Sequence, residues 1–175
     1  GVAGPVIDAA GAAADGSIPW HAATTENPDL NATEIWEIYN TTGDAHPVHL
    51  HLVHFEILER EGFTADLIDQ PVVQHHGAAA SGYRIENILL AGNAVPATGS
   101  EKAPKDMVTA YPGEVTRIKV TFDKPGRYVW HCHILSHEDH DMMRVLHIGP
   151  GAEPQVTAAA AVDPVNDTFD TIEEE

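Results

Sequence analysis

The chain has 175 residues, the scale of a single domain, and no apolar run approaches the ~18 residues of a membrane-spanning helix. Twenty-seven acids against nine bases give a net charge of -18, which argues against nucleic acid or an anionic lipid surface as partner. One cysteine, Cys132, excludes a disulfide within the chain, while twelve histidines outnumber all lysines and arginines together. A lone thiol among so many imidazoles directs attention to metal chemistry.

Residues 1–17 contain ten Gly or Ala, two Asp and no base, and 150–175 contain seven acids and no base. Both flanks lack the apolar bulk for a core and read as a flexible lead and an acidic tail. The domain is expected over 18–149, which holds all the histidines and bases and carries half of the net charge, -9. Gly1 is not an initiator methionine, and no charged–apolar–small signal segment follows it. The chain is therefore expected to be a processed product or a piece of something longer.

In chain order, Glu34 to Asn40 and His49 to Leu58 read as strands, bounded by Thr41-Thr42-Gly43-Asp44 and Glu61-Gly62. The stretch 64–104 reads as a long Gly-, Pro- and Ala-rich connection, with one apolar run, Ile85 to Ala91, that fits strand or helix. Val115 to Phe122 alternates, placing Ile118, Val120 and Phe122 on one face and Arg117 and Lys119 on the other. Asp123-Lys124-Pro125-Gly126 reads as a turn, and Arg127 to Ile134 as the next strand. Short strands with turn punctuation and little helical periodicity predict an all-β sandwich or barrel.

Two histidine clusters stand out: His46-Pro47-Val48-His49-Leu50-His51, and His131-Cys132-His133-Ile134-Leu135-Ser136-His137 followed by Met142. Along a strand, His49 and His51 share a face that His46 does not, and Cys132 points opposite to His131 and His133. One face then offers His46 and Cys132, joined by His137 and Met142 from the following loop. The other offers His49, His51, His131 and His133. Two imidazoles, a thiolate and a thioether form a soft set suited to copper cycling between Cu(I) and Cu(II). Four imidazoles alone are half of a multi-metal site. Zinc fits less well, because structural zinc sites close at four Cys/His ligands and do not use methionine. A nucleophilic cysteine fits poorly too, since both flanking histidines point away from it.

His46 to Phe55 (HPVHLHLVHF) and His131 to Met143 (HCHILSHEDHDMM) resemble the third and fourth copper-binding motifs of the multicopper oxidases. The ending E-D-H-D-M-M is most similar to the group of spore-coat laccase, bilirubin oxidase and phenoxazinone synthase. Trp20, Glu26, Thr33 to Ile38, Lys105-Asp106 and Gly113-Glu114 extend the resemblance over about 18–149. It implies a cupredoxin-like Greek-key β-sandwich, the C-terminal copy of that fold in such an oxidase. It also implies a type 1 copper on His46, Cys132 and His137 with axial Met142, a type 2 copper on His49, and type 3 coppers on His51, His131 and His133.

In that family, single electrons from a reducing substrate enter at type 1 copper and pass through Cys132 and its flanking histidines to the trinuclear cluster, where O2 becomes water. Glu138 resembles the acid that delivers protons there. The family's other two motifs, His-x-His pairs of an N-terminal cupredoxin domain, have no counterpart in this chain. The missing domain, of the same oxidase or another chain, is therefore the expected partner, and activity without it is expected to be small. Secretion or a periplasmic location is implied by the resemblance alone. Two other classes fit the same ligands: a stand-alone blue-copper electron carrier, and a copper-binding or copper-tolerance protein without turnover.

Of the remaining candidates, His75-His76 reads as an exposed loop pair or an accessory site, and His54 and His147 as packed or surface residues. His21 carries no motif, and His140 is a candidate to support a ligand. Met143 is the rival of Met142. Asp44 and Asp106 are candidates to orient ligand imidazoles, and Trp36 and Trp130 are expected in the core.

Overall fold

A computed structural model describes residues 2–3, 17–18, 20, 24–73, 79–139 and 142–150, with side chains at 20, 24–69, 84–139 and 142–150. His21, the pair His75-His76 and His140 lie outside the described residues, as do nearly all of the expected lead and tail.

The strands are β1 (Val2–Ala3), β2 (Ser17–Ile18), β3 (Thr33–Tyr39), β4 (His46–Leu50), β5 (Phe55–Val73), β6 (Ala79–Leu90), β7 (Val95–Pro96), β8 (Met107–Ala110), β9 (Glu114–Thr121), β10 (Gly126–Cys132) and β11 (Met143–Ile148). A 3-10 turn spans Gly99–Lys102, and one helical turn, α1, spans Leu135–Glu138. β1 pairs with β2 alone. The others form a four-stranded sheet in the order β11-β10-β4-β8 and a five-stranded sheet in the order β3-β9-β5-β6, with β7 also on β5. From β3 onward the chain crosses repeatedly between the sheets: β4, β8, β10 and β11 lie in one, and β3, β5, β6, β7 and β9 in the other. The fold is the Greek-key sandwich expected from the sequence.

The core fills the space between the sheets. Val48 and Leu50 of β4, Val108 and Ala110 of β8, and Leu146 and Ile148 of β11 meet Phe55 and Ile57 of β5 and Ile118, Val120 and Phe122 from β9 and its end. Trp36 and Trp130 pack against this cluster, with ring centroids 5.9 Å apart. In β9 the expected alternation holds, Ile118 and Val120 inward and Arg117 and Lys119 outward. Arg117 donates to Glu37, Glu59 and Glu61 at 2.7, 2.8 and 2.9 Å, tying β3, β9 and β5 across the outer face.

Three expectations need correction. The single strand expected over 49–58 is two strands in different sheets. A γ-turn separates them, with Val53 N–H donating to the His51 carbonyl at 3.0 Å around Leu52 at φ 75°. His54 accordingly sits exposed in the bend and not on a strand. The connection expected over 64–104 is largely a β5–β6 ribbon, paired from Phe63↔Leu90 to Val73↔Ala79, and the apolar run from Ile85 belongs to β6 up to Leu90. The turn expected at Asp123 to Gly126 is present, as a bend that leads from one sheet to the other, since β9 and β10 do not pair. Gly126 has φ 145°, and a Cβ there would fall 2.8 Å from the Tyr128 hydroxyl, so both the conformation and the space call for glycine.

β8 is the edge of the four-stranded sheet among the described residues. Arg60 of β5 reaches across to it, donating Nε and Nη2 to the Thr109 carbonyl at 3.2 and 3.1 Å. The same guanidinium forms a two-point contact with Glu101 and lies over the Tyr111 ring, 5.1 Å from its centroid.

Leu50 is fully buried at the centre of the core, so Leu50→Ala should cost about 2–5 kcal/mol of unfolding free energy, measured by urea denaturation. Glu61 is held below its ordinary value first by the Arg117 hydrogen bond, against a desolvation that pulls upward, with help from the Gly92 N–H. A carboxylate depressed on folding contributes stability above its unfolded value and loses it as pH falls through the folded one. Arg117→Met should therefore lower the urea midpoint at pH 7, and the deficit should shrink below about pH 4.5, the ordinary value of this carboxyl.

Candidate metal centre

The strand register builds the centre. β10 lies antiparallel to β4 with Trp130 opposite Leu50, His131 opposite His49 and Cys132 opposite Val48. Val48 and Leu50 face the core, and His46 shares their parity on β4, so it is buried with them while His49 turns outward. Cys132, in the parity of Trp130, lies inward and His131 outward.

On the inner side, His46, Cys132 and His137 converge. Cys132 Sγ lies 3.6 Å from His46 Nδ1 and 3.8 Å from His137 Nδ1, and the two Nδ1 atoms are 3.2 Å apart. These edges are close to the spacing of donors that share one ion at about 2.0–2.3 Å. Two imidazoles and a thiol in a triangle, His46 and Cys132 buried and His137 partly so, are a donor set that fits copper. His137 arrives on α1, where the His137 and Glu138 N–H groups both donate to the Ile134 carbonyl, at 2.8 and 2.9 Å. Met142 is pinned by its main chain: its N–H donates to the His137 carbonyl at 3.1 Å, and its carbonyl accepts from Cys132 N–H at 3.0 Å. Met143 instead begins β11, opposite the outward His131.

On the outer side, the donor atoms of His49, His51 and His131 all lie within 4.8 Å of one another. His51 Nε2 and His131 Nε2 are 3.1 Å apart. His133 borders this group, its ring centroid 5.7 Å from that of His49 and 5.6 Å from that of His131, and it is exposed. Its main-chain N–H donates to the Pro47 carbonyl at 2.7 Å.

The partners of the second ring nitrogens decide the tautomers. His131 Nδ1 faces two acceptors, the Cys132 carbonyl at 3.1 Å and Glu138 Oε2 at 3.2 Å, so the proton belongs on Nδ1 and Nε2 is left bare. His49 Nδ1 donates to the Asp106 carbonyl at 2.8 Å, with the same result. Asp106 thus orients a candidate ligand through its main chain. On the inner side, His46 Nε2 lies 2.8 Å from Thr42 Oγ1. The Thr42 hydroxyl was not singled out from sequence, because Thr41-Thr42-Gly43-Asp44 reads as plain turn punctuation. Asp44 enters this loop through its main-chain carbonyl and N–H, both bonded to Thr42 Oγ1, at 3.1 and 3.3 Å.

Burial, followed by the field of His137, holds His46 below the ordinary imidazole value. Burial together with His49 and His131 does the same for His51. These groups favour the neutral state that binds metal. Burial and, to a lesser degree, Glu138 raise the Cys132 thiol, which keeps its proton until a cation displaces it.

A family profile described as multicopper oxidase matches residues 6–152. The laccase of Bacillus subtilis (strain 168) is 47% identical over 130 residues, which are 74% of this chain and 23% of the laccase. The multicopper oxidase LPR2 of Arabidopsis thaliana is 35% identical over 142 residues, covering 73% of this chain and 24% of that protein. Among solved structures, the multi-copper oxidase from Pediococcus acidilactici superposes with a TM-score of 0.51 at 30% identity, over 75% of this chain and 22% of that one. The metallo-oxidase from Campylobacter jejuni shares the fold, with a TM-score of 0.52 at 24% identity over 73% of this chain and 21% of that one. The chain thus spans about a quarter of the length of the curated relatives it matches. With a matching profile along most of its length and copper-compatible donors on both faces of one strand pair, this chain belongs to the multicopper oxidase family.

Proposed function

We propose that this chain is the domain of a laccase-like oxidase that carries the electron-entry copper and half of the oxygen-reducing cluster. The observation that carries this reading is the opposed placement of two donor sets from consecutive residues, Cys132 inward and His131 outward, in a strand that pairs His131 with His49. In this reading His46, Cys132, His137 and Met142 hold type 1 copper, His49 holds type 2 copper, and His51, His131 and His133 hold the type 3 pair. Copper at the first set supplies single-electron uptake from a reducing substrate, and copper at the completed second set supplies reduction of O2 to water.

The chain's own residues do the preparatory work. Cys132 gives up its proton on binding, and burial keeps water from competing for its sulfur. The Nδ1 atom of His46 and the Nε2 atoms of His49 and His131 present bare lone pairs. The two sets are separated by a single peptide link, a short covalent path from Cys132 to His131. Glu138, 3.2 Å from His131 Nδ1, keeps a carboxylate beside the outer set, where it would hold and release protons. The domain occupies 18–149. Its partner is the N-terminal cupredoxin domain that contributes the remaining imidazoles, and a secreted or periplasmic setting follows from family resemblance.

Loaded with copper alone, the chain should take up about one tightly bound ion and turn intensely blue, with little O2 uptake on a phenolic substrate. Joined to the missing domain, it should reach four coppers and consume O2. Oxygen reduction by the isolated chain would overturn the division of the cluster. Cys132→Ser should abolish the blue band, and a band that persists would overturn the first ligand set. In His131→Ala the band should remain, while the four-copper assembly should lose O2 reduction by at least about tenfold.

A further inference from the structure

We propose that the Thr42 hydroxyl is a positioning residue for the inner metal set, fixing His46 with its proton on Nε2 and Nδ1 turned bare toward Cys132. The proposal rests on reading His46, Cys132 and His137 as one metal site.

The direction of each hydrogen bond is set by its neighbours. Thr42 Oγ1 lies 2.8 Å from Asn40 Oδ1 and 3.1 Å from the Asp44 carbonyl, and both of these can only accept. With the one hydroxyl proton shared between them and the Asp44 N–H donating to Oγ1 at 3.3 Å, a lone pair is what Oγ1 offers His46 Nε2 at 2.8 Å. In this assignment Nε2 is the donor, and neutral imidazole leaves Nδ1 without a proton. That bare Nδ1 is the atom 3.6 Å from Cys132 Sγ and 3.2 Å from His137 Nδ1.

Asn40 makes the arrangement rigid. Only 4% exposed, it spends both side-chain protons on the Asp44 and Ala110 carbonyls, at 2.7 and 3.0 Å. Its Oδ1 accepts from both the N–H and the hydroxyl of Thr42, at 2.9 and 2.8 Å. Its main chain is fixed between Glu114 and Gly113, its N–H donating to the Glu114 carbonyl and its carbonyl accepting from Gly113 N–H. The loop between β3 and β4 is thus anchored to β8 and β9, and Thr42 passes that anchoring to a single imidazole. A buried amide with every donor and acceptor in use is a fixed reference point, and partners of this kind commonly change metal affinity tenfold to a hundredfold.

The test needs no oxygen chemistry. Cobalt(II) is titrated into the metal-free chain and followed by its thiolate-to-cobalt absorption, which reports Cys132 ligation without oxidising the thiol. The unaltered chain should show the band, and its absence would overturn the reading of the inner set itself. Thr42→Val, nearly the same size, should weaken cobalt binding about tenfold to a hundredfold, whereas Thr42→Ser should stay within about threefold. Urea unfolding of the metal-free variants separates loss of ligand positioning from loss of fold. Equal affinity in Thr42→Val, or equal weakening in Thr42→Ser, would overturn the role of the hydroxyl. A second measurement needs no variant: long-range proton–nitrogen NMR of the metal-free chain above pH 8 should show His46 as the Nε2–H tautomer, and the Nδ1–H tautomer would refute the assignment.

Discussion

The centre depends on one constraint, the alternation of side chains along β10 locked in register against β4. Because His131 stands opposite His49 and Cys132 opposite Val48, the pleat itself sorts the donors into an inner set and an outer one. A slip of one residue would send every donor of β10 to the wrong face. Apolar burial prevents it: Trp130 packs on the core only in this register, beside Leu50 and Val48. Core packing and metal chemistry are thus fixed by the same strand pair.

What the strands cannot supply comes from short, hydrogen-bonded loops. α1 is a single turn, yet it carries His137 to the sulfur and Glu138 to His131, two neighbouring residues serving opposite faces. The main-chain bonds from Cys132 to Met142 and from Met142 to His137 close this loop at its neck. For His46, His49 and His131 the second imidazole nitrogen is met by oxygen: the carbonyls of Asp106 and Cys132, the hydroxyl of Thr42 and the carboxylate of Glu138. These partners orient the three rings before any cation arrives.

The sequence made some of this plain and hid the rest for physical reasons. β9 was legible because one face meets the core and the other meets Glu37, Glu59 and Glu61, so apolar and charged residues must alternate. The opposite faces of Cys132 and His131, and of His46 and His49, were legible because strand parity needs only spacing. The β5–β6 ribbon was not, since Leu67 and Leu89 stay exposed and, among the described side chains of β6, Ile85 alone is buried. The break between β4 and β5 was hidden because its positive φ falls on Leu52, where no glycine marks the turn. Thr42 was passed over because its work depends on contacts with Asn40 and His46 that spacing does not reveal. Asp106 was singled out as a residue, but the atom that acts is its carbonyl, which any residue could provide.

Arg60 gives the outer imidazoles a consequence of their own. By occupying the Thr109 carbonyl from the rim, with Glu101 and Tyr111 stacked around it, Arg60 takes from the β8 margin an acceptor that an added strand would use. The margin thus offers one acceptor fewer to an added strand, while His51 and His133 stand exposed on the outer face. A body that capped those imidazoles would meet side chains more than main chain, and complementarity of side-chain relief would then select it.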